Sequence, residues 1–325
     1  MSEVDFSKYE NVGDIVSDIE DIKIQGATNV AIATFEGMKL FLKNYEEKGK
    51  NYEEFYEELS RVGYTLAHAR DNEPLAKNGL KFVTRMLTIR NPGLKDVSVA
   101  KKKVDELCDE FLEQIKEAKK QIVENSDEVF DDVYEVFTHC HSSTAVNTIS
   151  KRAKKVSDLR VTCTETRPLY QGRETAKELV EKGINTTFIV DSAAESFIID
   201  NCDQDTCTRP IDIVFLGSDE ITMRGDAVNK IGSWGIALAS YFVSKPVYVV
   251  TSILKTEIET AYRPVKIEYR DNSEIWKDAP KGLKMINPSF EIINREFITG
   301  YITEVGVVKP EDISSTIQEN YQWLF

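Results

Sequence analysis

The run Thr138-His139-Cys140-His141-Ser142-Ser143 sets a thiol between two imidazoles and ahead of two hydroxyls. Three chemistries fit it: metal ligation, catalysis by a thiol, or nothing beyond a buried strand end followed by a helix cap. Elsewhere the chain again places polar residues directly after short apolar runs. "LRVTCTE" delivers Glu165, Thr166 and Arg167, then after a short turn Gln171, Gly172 and Arg173. "NTTFIVD" delivers Asp191 and Ser192, "IDIVFLG" delivers Gly217, Ser218 and Asp219, and "GDAVNKIG" carries Asn229 and Lys230 at the predicted opening of a long helix. Ligands of open α/β sheets bind beyond the carboxyl ends of the strands, where helix N-termini point. If these runs are parallel strands, a thiol, several carboxylates and three cations gather on one rim, and a site is expected there.

Each residue also has a plain structural explanation. Ser142, Ser143 and Asp226 are good helix N-caps. Asp191 either caps its own helix or touches a ligand. Arg167 and Arg173 could be surface charges, but an Arg-Pro turn between a strand and a helix N-terminus suits an anion, through guanidinium donors and free backbone N–H groups. Cys140 alone would read as a small core residue; placed just before a helix N-terminus, its thiol pKa is expected to fall. Asp219 is harder to excuse, because a carboxylate at a strand end needs a partner or a job. Metal ligation is not expected: His139 and His141 alternate along an extended segment and project to opposite sides. The third histidine, His68, lies far off in sequence, and Cys202 and Cys207 have no second pair to complete a zinc knuckle. No GxGxxG or GxxxxGK[ST] loop supports a dinucleotide or Walker-type nucleotide.

The elements that must hold these residues fall into two halves. Up to about Ser126 the apolar residues recur at helical spacing, ending in the long charged amphipathic stretch "DVSVAKKKVDELCDEFLEQIKEAKKQIVENS". Beyond it, "VYEVFTH", "LRVTCTE", "NTTFIVD", "IDIVFLG" and "PVYVVT" alternate with helical segments. This βαβα order predicts an open, doubly wound, mainly parallel sheet of about five or six strands, too few for an eight-stranded barrel. The tail "NPSFEIINREFITGYITEVGVV" reads as turn, helix and a last strand. The domains are expected at 1–128, mainly helical, and 129–325, Rossmann-like. With 41 Lys+Arg against 55 Asp+Glu the net charge is -14, which argues against nucleic acid and anionic membrane as partners. No apolar run is long enough to span a bilayer, and the acidic start is no signal peptide. Five unpatterned Cys fit a reducing cytoplasm.

These segments, in this order and over nearly the whole chain, resemble the superfamily that unites sugar-phosphate isomerases with the alpha, beta and delta subunits of initiation factor 2B. "IQGATNVAIA" resembles its "IRGA" segment, "LAHARDNEPLAKNGL" its "ARPT…N" segment, and "TETRPLYQGRETAKEL" matches closely. "FLGSDEITMRGDAVNKIGSWGIAL" resembles "GADxIxxNGxxxNKIGTxxxA". The resemblance implies a helical domain before a Rossmann-like one. It also implies Cys140 and Asp219 as a catalytic pair, which the regulatory subunits generally lack. Substrate contacts are implied at Gln25, Gly26, Ala27, Arg70, Ser142, Ser143, Arg167, Gln171, Asn229 and Lys230. "CHSSTAV" is nearer the "CNSSxAx" of the ribose-1,5-bisphosphate isomerases than the "CNTGxLA" of the methylthioribose-1-phosphate enzymes.

The implied reaction is aldose–ketose isomerisation of ribose 1,5-bisphosphate to ribulose 1,5-bisphosphate. Asp219 would act as acid and Cys140 as base, with Arg70, Arg167 and Lys230 on the phosphates. The chemistry requires no metal or redox cofactor; AMP is implied as an allosteric activator, and a homo-oligomer, dimer or hexamer, as the assembly. The alternatives are a non-catalytic initiation factor 2B-like regulator or sugar-phosphate sensor, and a methylthioribose-1-phosphate isomerase. Gln25 stands where the isomerases place a phosphate-binding Arg, Asp71 where they have Pro, and His141 where they have Asn; "NCDQDTCTRP" reads as an insertion.

Overall fold

The computed structural model describes residues 4–199 and 210–325, and so leaves Cys202 and Cys207 outside the described residues. The chain forms two compact units, one of residues up to Glu117 together with Tyr321–Phe325, the other Ala118–Asn320. They part inside a helix, not after it as the sequence pattern indicated, and the last five residues return to the first unit.

The first unit holds α1 (Val12–Glu20), α2 (Ala27–Asn44), α3 (Tyr52–Ala67), α4 (Pro74–Arg90) and most of α5 (Val97–Asn125). Their starts are written locally. Asn51 and Glu54 form a capping box before α3, and Pro74 opens α4, where a missing N–H costs nothing. On α2, Val30, Ala31, Thr34, Phe35, Met38 and Leu42 recur at one-face spacing and are all buried. Trp323 meets Phe82 edge-on at 5.1 Å between ring centroids, while Arg85 donates to the Trp323 carbonyl at 2.9 Å.

The second unit continues with β1 (Glu135–His139), α6 (Ser143–Ala153), β2 (Arg160–Thr164), α7 (Gln171–Glu181), β3 (Asn185–Ile189), α8 (Ala194–Ile199), β4 (Ile213–Leu216), β5 (Glu220–Thr222), β6 (Ala227–Lys230), α9 (Ser233–Phe242), β7 (Val247–Val250), β8 (Thr256–Glu257), β9 (Phe290–Ile293), β10 (Gly300–Thr303), β11 (Gly306–Val308) and α10 (Ile313–Asn320). Seven strands form the main sheet in the order β11-β10-β7-β4-β1-β2-β3, parallel except for β11. All five residues of the central β1 are buried, as a strand covered on both faces requires. The chain therefore has the doubly wound, mainly parallel architecture its periodicity indicated.

Two elements differ from the sequence reading. Ala227–Lys230 is a strand and not a helix opening: Thr222 and Asp226 close a tight turn that folds β6 back on β5, within a second sheet ordered β8-β5-β6-β9. Helical spacing in "AVNKIGSWGIAL" hid that hairpin, because a four-residue run with two apolar residues is too short to tell one period from the other. Asp226 accordingly caps no helix; it accepts the Arg295 N–H at 3.0 Å. The tail is β9, a 3-10 turn and the β10–β11 hairpin, in place of turn, helix and strand.

Candidate active site

β1, β2 and β4 run parallel in register and end together, so the residues after them share one edge. Past His139 the backbone breaks sharply: Cys140 has φ 67, in the left-handed region that costs an L-residue roughly 1–2 kcal/mol. Two threonines hold it there. The Cys140 N–H donates to Thr166 Oγ1 at 3.0 Å, and Thr175 Oγ1 donates to the Cys140 carbonyl at 2.8 Å. Ser142 follows as N-cap of α6, its Oγ accepting the Ala145 N–H at 3.3 Å, while Ser143 is the first helical residue and exposed. Gly217 is needed at the end of β4, since a Cβ there would lie 2.9 Å from the Ser142 Cβ and about van der Waals distance, 3.9 Å, from Asn229 Oδ1.

Burial pushes the Cys140 thiol up to about 11; the Lys230 charge pulls it down and the Asp219 and Asp191 charges push it up. The helix N-terminus alone would lower the thiol pKa; at this half-buried cysteine desolvation is the largest influence and favours the neutral thiol. That coupling also places Lys230 and Asp219 in the field of the thiol. Asp219 is half-buried between β4 and β5, its N–H bonded to the Val228 carbonyl at 2.9 Å, and its carboxylate has no ion pair among the described residues. Lys230 is 9% exposed, with its ammonium 4.8 Å from the Phe290 ring centroid and no carboxylate partner among the described residues. A desolvated cation without a counter-charge is costly, and an anionic ligand would supply one. Asn229 donates to Ser233 Oγ at 2.8 Å.

The Thr166–Tyr170 turn is shaped by Asp191, whose two oxygens accept the N–H groups of Thr166 at 2.7 Å and Arg167 at 2.6 Å. Asp191 therefore neither caps its own helix nor stands free for a ligand. The Arg167–Pro168 peptide is cis. Arg173 stacks 3.8 Å from the Tyr170 ring centroid, and Arg167 bonds the Tyr170 hydroxyl and donates to the Ile275 carbonyl at 3.2 Å. Gln171 opens α7 with Oε1 buried and without a hydrogen-bond partner among the described residues. The two histidines take different partners, as their alternation demands: His139 meets Thr164 and the Ile231 carbonyl, and His141 meets Thr175 at 3.1 Å and Glu178 at 3.7 Å.

In the first unit, Gly26 is the left-handed residue before α2 with φ 84, Ala27 begins that helix, and the Gln25 carbonyl accepts from Asn29 at 3.0 Å. Arg70 is buried beside Glu73, at 3.1 Å. Thr166 was marked by sequence as a strand-end residue; Thr164 and Thr175 were not, although the alternating hydroxyls of "VTCTET" carry a weak signal for Thr164.

A helical unit followed by a doubly wound, mainly parallel sheet, with a thiol, a carboxylate and an ammonium that has no carboxylate partner among the described residues, defines an α/β protein with acid–base groups gathered in its second unit. Residues 23–310 match the Initiation factor 2 subunit family, and the chain belongs to that family. It is 32% identical to a ribose 1,5-bisphosphate isomerase of Methanocaldococcus jannaschii, over 100% of this chain and 98% of that one. It is 30% identical to a methylthioribose-1-phosphate isomerase of a Thermoanaerobacter species, over 90% and 86%. The crystal structure of a Pyrococcus horikoshii translation initiation factor eIF-2B superposes with a TM-score of 0.75 at 23% identity, covering 92% of this chain and 97% of that one, a likeness of fold.

Proposed function

We propose that this protein is a sugar-phosphate aldose–ketose isomerase and that its substrate is ribose 1,5-bisphosphate, converted to ribulose 1,5-bisphosphate. The observation that carries the reading is the buried Lys230, without a carboxylate partner among the described residues, whose charge acts on the Cys140 thiol together with that of the half-buried Asp219. Its relatives of similar length, named above as isomerases of phosphorylated sugars, support it.

The reaction needs one acid and one base. A C1 phosphate locks the sugar as a ring, so the ring oxygen must gain a proton as its bond to C1 breaks. Hydrogen then moves from C2 to C1, and the C2 hydroxyl loses its proton to become the ketone. A thiol held near 11 is a proton donor, which exchanges the roles implied by the family resemblance: Cys140 protonates the ring oxygen, and Asp219 accepts the proton released at C2. Lys230 offsets oxyanion charge as it develops at C2. The α6 N-terminus, capped by Ser142, and Gln171, Arg167 and Asn229 offer donors to phosphate and hydroxyl groups. No metal or redox cofactor enters these steps; AMP is proposed as an activator, a homo-oligomer as the assembly and the cytoplasm as the compartment.

The test is turnover of ribose 1,5-bisphosphate and of methylthioribose 1-phosphate, with and without AMP, by the wild type and the Cys140→Ser and Asp219→Asn variants. Ketose formed from the bisphosphate and lost in both variants is the expected result. Turnover of the methylthio sugar alone would move the substrate; no turnover of either would leave the sensor reading, to which the replacement of Arg by Gln25 lends weight.

A further inference from the structure

Cys140 follows β1 and Lys230 ends β6, and one imidazole ties their segments together. His139, the buried last residue of β1, has Nε2 2.9 Å from the carbonyl oxygen of Ile231, the residue after Lys230. Its Nδ1 is 2.5 Å from Thr164 Oγ1. A carbonyl oxygen can only accept, so Nε2 carries the ring proton; Nδ1 of the neutral ring is then an acceptor, and the Thr164 hydroxyl donates to it. Thr164 Oγ1 lies 3.5 Å from Thr166 Oγ1, the atom that takes the Cys140 N–H. Donation can therefore run one way, from the Cys140 amide through two hydroxyls and the imidazole to the Ile231 carbonyl. The ring is also fitted sterically. Gly232 has φ +105, and a Cβ there would come within 3.1 Å of His139 Cε1 and Nε2. Burial holds the imidazole below its ordinary pKa; the charges facing it are Asp191, which favours the cation, and Lys230, which opposes it.

We propose that His139, as the Nε2–H tautomer, is a positioning residue that fixes the left-handed Cys140 turn against the Asn229–Lys230 segment and so sets the placing of thiol and ammonium. Its effect on turnover rests on the isomerase reading; the tether itself does not. A histidine that merely filled space would be replaceable by any ring of similar size. This one uses both nitrogens, each toward a different segment, and it adjoins Cys140, which together with Thr166 and Tyr170 is held in the left-handed region.

Three variants test it: His139→Phe keeps bulk without hydrogen bonds, His139→Gln keeps an amide N–H that can reach the Ile231 carbonyl, and Thr164→Val removes the hydroxyl beside Nδ1. Two readouts are taken on the full chain: the iodoacetamide alkylation rate of Cys140, followed on its peptide by mass spectrometry, and kcat and KM with ribose 1,5-bisphosphate. In His139→Phe the turn opens, and alkylation should quicken about tenfold, equivalent to one unit of thiol pKa. Its kcat should fall about 100-fold with KM little changed, the scale of a misplaced reacting group. Gln should restore both readouts most of the way. If the Phe variant does not fold, Thr164→Val carries the test in the same direction. Wild-type alkylation and kcat in a folded Phe or Val variant, or a Gln variant no better than Phe, overturns the proposal. If the wild type turns over no sugar, the isomerase reading fails and alkylation alone decides the tether.

Discussion

Near neutral pH the Cys140 thiol should react with iodoacetamide about 100-fold more slowly than an unburied cysteine. The factor follows from its displacement from 9.0 to about 11; two units are about 3 kcal/mol of preference for the neutral form. Desolvation is the larger cause, and the two flanking charges act with opposite signs, so two variants sharpen the test. Lys230→Met removes the charge that favours thiolate and should slow alkylation further. Asp219→Asn removes one that disfavours it and should speed alkylation, each by severalfold, as for a partly screened charge at close range. The assay quantifies the alkylated Cys140 peptide by mass spectrometry across neutral to strongly alkaline pH, against a small-molecule thiol. A half-point at 9.0 or below, or variants that shift the rate in the same direction, would refute the electrostatic argument. The assignment of Cys140 as proton donor would fall with it.

Four further outcomes are expected. Asp191→Ala leaves the Thr166 and Arg167 N–H groups without their acceptors and should cost about 2 kcal/mol; for a unit of this size thermal denaturation should show a fall of about 4–8 °C. Gly217→Ala forces a Cβ against Ser142 and should cost about 1–3 kcal/mol, with kcat falling more than KM rises as the α6 N-terminus is displaced. Trp323→Ala removes the edge-on contact to Phe82 and should destabilise the helical unit by about 2–3 kcal/mol in urea unfolding. Acid should weaken the fold through His139. Its folded pKa lies below the ordinary 6.5, so the unfolded chain binds the extra proton first and stability drops as pH falls below about 6.5. That slope should flatten in His139→Gln, as read by denaturant midpoints at several pH values.

Much of this protein was written locally. The capping box at Asn51, the Pro74 start and the one-face spacing of α2 act over a few residues, so sequence alone determines those helices. The short β-branched runs likewise determined the parallel strands, and polar residues at their ends marked Cys140 and Asp219 as candidates, because a parallel sheet must bring its strand ends to one edge; Lys230 was marked at what read as a helix opening. What only tertiary structure decided depends on neighbours remote in the chain. Ala227–Lys230 becomes a strand because β5 and β9 flank it, a choice its own four residues do not make. Asp191 is consumed by two amides some twenty-five residues away. The state of Cys140 is the clearest case. Locally, a thiol before a helix N-terminus should ionise. Thr166 and Thr175, remote in the chain, hold its backbone in place, and desolvation, which no window of sequence contains, sets the sign.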